Sequence, residues 1–97
     1  MNYSDILKTS INTLKTFPTV AKLISARESR NQHMYGVSAR IKNSRRKGNE
    51  VLMAIRIELD FRDDKNFPNQ KEDLIIDLSW SSETNFSLVG VLEVPNL

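Results

Sequence analysis

A chain of 97 residues with 39% apolar content, no cysteine and a net charge of +2 is expected to make one domain, residues 1–97, around one modest core. The missing cysteines exclude disulfides, thiolate zinc sites and cysteine nucleophiles, and fit a reducing compartment. No apolar run approaches the ~18 residues that a membrane span needs, and the opening MNYSDILKTS lacks the basic stretch and apolar core of a secretory signal, so a soluble, cytoplasmic protein is expected.

The first segment reads as a helix. Ser4 is placed to cap it, and Asp5 then sits in the first turn, where the helix dipole favours a negative charge. Ile6, Leu7, Ile11 and Leu14 fall at helical spacing and form one apolar stripe. Pro18 interrupts it, and proline suits a first turn rather than an interior. Val20, Leu23 and Ile24 continue the apolar face to about Arg27, as one kinked helix or as two consecutive ones. Ser29 to His33 is polar and unpatterned, as in a loop.

From Met34 the period becomes two. Tyr35, Val37, Ala39 and Ile41 share one face, and Gly36, Ser38, Arg40 and Lys42 the other. The stretch NSRRKGN reads as a turn with a basic tip. Val51, Met53, Ile55, Ile57, Leu59 and Phe61 then alternate with Leu52, Ala54, Arg56, Glu58, Asp60 and Arg62, the clearest strand signal in the chain. DDKNFPNQKED is a long polar turn. A third strand runs through Leu74, Ile76, Leu78 and Trp80, and a fourth is FSLVGVLEV, ended by Pro95.

Four strands joined by short connections favour an antiparallel meander. The N-terminal helical segment must cover its apolar face, giving an α+β fold in two layers. The expected core takes Ile6, Ile11, Leu14, Val20 and Leu23 from the helices. From the sheet it takes Val37, Ile41, Met53, Ile55, Ile57, Leu59, Leu74, Ile76, Leu78, Val89 and Val91.

Charge is uneven along the chain. Residues 27–47 hold seven basic residues and one acid, a net +6, whereas residues 48–97 hold four basic and ten acidic residues, a net −6. The lone histidine, His33, lies in a polar stretch with no spacing that marks a nucleophile beside it. The acids Asp60, Asp63, Asp64, Asp73 and Asp77 bracket a loop, the weak outline of a metal-assisted hydrolase, but no calcium-loop pattern accompanies them. No catalytic residue, cofactor or metal is expected.

Non-catalytic binding is the leading expectation: a small protein-interaction module of inhibitor, immunity or adaptor type. The charged outer sheet face would dock another protein through Arg40, Arg56, Glu58, Asp60 and Arg62. The alternative is nucleic-acid binding by the basic hairpin tip, with Arg27, Arg30, Arg40, Lys42, Arg45, Arg46 and Lys47 contacting phosphates. Against it, the tip carries no aromatic residue for stacking. A homodimer through a sheet edge or face is a further expectation.

Overall fold

The computed structural model describes residues 2–63 and 71–94. Two helices precede a four-stranded antiparallel sheet in the order β1-β2-β3-β4. The elements are α1 (Tyr3–Asn12), a 3₁₀ turn (Leu14–Thr16), α2 (Pro18–Ser29), β1 (Gln32–Lys47), β2 (Glu50–Asp63), β3 (Lys71–Ser81) and β4 (Asn85–Val94). The polar turn between β2 and β3, including Asp64 and Pro68, lies outside the described residues.

Two helices form, not one kinked helix, because Pro18 occupies the first turn of α2 behind an extended Phe17. The cap of α1 is Asn2, not Ser4: its Oδ1 accepts a hydrogen bond from the Asp5 N–H at 2.9 Å. Asn31, at φ 60°, ends α2 in the left-handed region that asparagine tolerates, and its N–H donates to the Glu28 carbonyl.

The alternation of β2 is realised from Met53 to Phe61, and Val51 at its start is half-buried. Met53, Ile55, Ile57, Leu59 and Phe61 are buried with Leu74, Ile76 and Leu78 of β3 beneath Ile6, Leu14, Val20 and Ile24 of the helical layer. Each such side chain contributes roughly 1.5–3 kcal/mol by leaving water, so this central strip is the main source of stability. The 3.6-residue stripe from the helices and the two-residue rhythm of the strands meet there.

Four corrections concern strands. The basic tip is not a loop: β1 continues to Lys47, and the turn is Gly48 and Asn49, with Gly48 at φ 62°. Bulges shift the register of β1 at Tyr35 and at Lys42. Met34 therefore opposes Phe61, and Tyr35, expected to share the face of Val37, is the bulged residue and 54% exposed. A bulge in β4 leaves Val89 as the extra residue, so Leu88 opposes Leu78 and Phe86 opposes Trp80 while Val89 turns outward, 67% exposed. Val37 opposes Leu59 on the covered face but lies on the edge strand β1, which no further strand flanks among the described residues, and stays 41% exposed. Ile24 and Phe61 join the core in their stead.

The open sheet face and its charges

Both helices lie on one face of the sheet, so the other face is uncovered among the described residues. Register puts Arg40, Arg56, Glu58, Asp60 and Arg62 on it. Arg40 opposes Arg56, and Arg56 opposes Asp77 of β3. The Arg56 guanidinium grips the Asp77 carboxylate with two hydrogen bonds, Nε at 2.9 Å and Nη2 at 3.0 Å. These bonds hold the Asp77 carboxyl below the usual aspartate range, and nearby Lys42 pulls it the same way. Arg62 donates likewise to its strand neighbour Asp60, at 3.0 Å from Nη2, and its already high pKa rises.

The face is graded. Its hairpin end is cationic, with Arg40, Lys42, Arg45 and Lys47 along β1, and a hollow of about 380 Å³ there is lined by Asn43, Arg45, Leu52, Ala54 and Ser79, among others. Its other end is acidic, with a hollow of about 250 Å³ lined in part by Ser38, Glu58, Asp60 and Asp73. Beside both, β4 offers apolar surface: Leu92, 57% exposed and opposed to Ile75, and the bulged Val89.

The basic residues do not act as one patch. Lys42, Arg45 and Lys47 belong to the open face, whereas Arg46 opposes Val51 and so belongs to the covered side. Among the described residues, none of these four, nor Arg40, makes an ion pair. Arg30 is exposed and reaches Gln32 Oε1 and, at 3.9 Å, Glu72.

Arg27 leaves the candidate set altogether. Its side chain is 3% exposed and so has no surface to offer a phosphate. It lies 3.2 Å from Glu72 Oε2 and 3.2 Å from Glu93 Oε1, with its guanidinium carbon 5.5 Å from the centre of the Phe61 ring. The signal was present in the sequence: Val20, Ile24 and Arg27 repeat at four and three residues, which puts Arg27 on the buried stripe of α2.

Asp60 and Asp77 are committed to Arg62 and Arg56, and no cluster of three or more metal-ligating side chains occurs among the described residues. Asp64 lies outside them. What the linear reading missed is aromatic: Tyr3 of α1 and Trp80 of β3 line one hollow with the basic Arg45 and Arg46. No protein-family model, curated protein or solved structure matches this chain, so its function has to be argued from these residues.

Proposed function

We propose that this chain is a small non-catalytic protein-interaction module, of inhibitor, immunity or adaptor type, that docks another protein through the open face of its sheet. The observation that carries this reading is the make-up of that face. Charges held in fixed geometry by their own pairing lie beside exposed apolar side chains on β4. Ion pairs already formed are not freed by docking; they set register and exclude wrong partners, while Ile75, Leu92 and Val89 supply desolvated contact. The cationic and acidic ends give a partner one preferred orientation. Such a surface suits a protein better than a duplex, whose phosphates the acidic end would repel.

The test is affinity capture from the native source with three baits: wild type, Leu92→Arg, and Arg45→Ala/Arg46→Ala. A partner held by wild type and by the double variant, but lost by Leu92→Arg, is the expected result. A partner indifferent to Leu92→Arg, or none on a folded bait, overturns the reading. Light scattering on the purified chain identifies the case in which the bound protein is a second copy.

One observation favours a second reading. Arg40, Lys42, Arg45, Arg46 and Lys47 line a single edge strand and make no ion pair among the described residues, which suits a polyanion backbone. Binding to DNA or RNA would then weaken steeply with salt, and the slope would flatten in the Arg45→Ala/Arg46→Ala variant. Salt-insensitive binding, or none at low salt, removes this reading.

A further inference from the structure

Among the described residues the sheet has two free edges, β1 and β4, and they are built differently. β1 carries five basic residues, no acid and two bulges. Two such edges repel one another, a common device that keeps edge strands from pairing. β4 carries no lysine or arginine, and six of its ten residues are apolar. Its one charged residue, Glu93, already lies 3.2 Å from Arg27. Val89, at its middle, is 67% exposed. An edge left this open is a template for another strand.

The bulge in β4 decides which strand fits. In a regular strand, residues an odd number apart lie on opposite faces. The extra residue at Val89 cancels that rule across the middle of β4. Ser87 and Leu92 both lie on the open face, opposite Ser79 and Ile75, and Leu88 and Val91 both lie on the covered face, opposite Leu78 and Ile76. A second β4, antiparallel and related by a two-fold axis between Val89 and Gly90, therefore meets the first with faces matched along its length. Ser87 then faces the second copy's Leu92, Leu88 faces its Val91, and Phe86 faces its Glu93. The two Glu93 carboxylates fall at opposite ends of the seam, so no like charges meet. At the axis each Val89 faces the other copy's Gly90, where an added Cβ would meet nothing within 4 Å. An unrelated strand without the bulge would lose the match of faces halfway along.

We infer that the chain pairs with a second copy of itself through β4, about a two-fold axis at Val89 and Gly90, so that the two sheets continue into one. Such an interface is closed, because each copy offers the same patch to the other. The pairing runs in the plane of the sheet and leaves Ile75 and Leu92 on the open face. It stands or falls separately from the docking reading, since its test needs only the purified chain.

Sedimentation equilibrium of the full chain between about 1 μM and 1 mM should show the mass rising from 11.1 kDa to twice that value and no further. Gly90→Leu fills the space that Val89 enters, and Val89→Lys brings two cations to the axis. Each should weaken association by about ten-fold or more, with native circular dichroism at the lowest concentration. Should Gly90→Leu fail to fold, Val89→Lys at its exposed position carries the test. Ser38→Lys, exposed on β1, should leave association unchanged. The chain has no cysteine, so mild oxidation of Ser87→Cys/Leu92→Cys should give a covalent dimer, and oxidation of either single variant should not. A monomer at every concentration, growth beyond a dimer, association unaffected by both β4 variants or weakened equally by Ser38→Lys, or no cross-link in the double variant overturns the assignment.

Discussion

Arginine meets aromatic rings at both ends of the helix–sheet interface, with opposite outcomes. At one end Arg27 lies over Phe61 and is flanked by Glu72 and Glu93. At the other, Arg46 shares a hollow with Tyr3 and Trp80, and no acid lines it among the described residues. The difference teaches what makes an arginine structural. Given carboxylates and a covering helix, it becomes part of the core; given only rings and open space, its donors remain available. The contrast also separates two residues of the same type that a linear map of charge puts in one basic block.

The strip between the two ends holds both together, and breaking it has the largest expected effect. Ile57 has no exposed surface. Ile57→Ala should lower stability by about 2–5 kcal/mol in urea unfolding, through lost transfer energy and a residual cavity. A loss below about 1 kcal/mol would mean that the core is not centred on β2, and the two ends would no longer share a frame.

Arg27→Ala comes next, at about 2–3 kcal/mol. That is below the 3–5 kcal/mol of a fully buried pair, because Glu72 and Glu93 keep contact with water after the arginine is gone. Arg27→Met should cost less than Arg27→Ala, since it keeps the stem over Phe61 while removing the charge. Equal losses in the two variants would assign the whole effect to the ion pairs and none to packing. A loss as small as that of an exposed arginine would abolish the contrast between the ends.

Much of this fold is legible in the sequence, and the gaps have physical causes. The β2 rhythm from Val51 to Phe61 and the proline at the start of α2 are local signals, and both are realised. The bulges at Tyr35, Lys42 and Val89 are not local: each depends on where the neighbouring strand sets its hydrogen bonds, and a one-residue slip turns every later side chain over. That is why Val89 was expected inside and is outside. The open face with Arg40, Arg56, Glu58, Asp60 and Arg62 follows from alternation alone. The meeting of Tyr3 with Trp80 does not, because it requires α1 to lie across the end of the sheet.

A smaller effect sharpens the difference between the two faces. Asp77 has its pKa depressed by the Arg56 hydrogen bonds, so this pair stabilises the fold above the ordinary aspartate value, about 3.8. That contribution is lost as pH falls through the lower, folded value. Asp77→Asn should therefore flatten the acid limb of the stability profile below about pH 4, and leave the shape unchanged near neutrality. An acid limb identical to wild type would show that the pair adds nothing to folding. The open face would then hold its geometry by backbone register alone.

The smallest expected change is at the unfilled end. Arg46 is exposed, makes no ion pair among the described residues and stands between Arg45 and Lys47 in sequence, so its charge meets its own kind. Arg46→Ala should shift stability by no more than about 0.5 kcal/mol, the range of surface substitutions without a named defect. Its sign should be favourable at low salt, because removing one of three adjacent like charges relieves repulsion, and salt screening should erase the gain. A loss of more than about 1 kcal/mol, well outside that surface range, would reveal Arg46 holding the end together as Arg27 does. The two ends would then be one kind of structure, and no free arginine would remain beside Trp80.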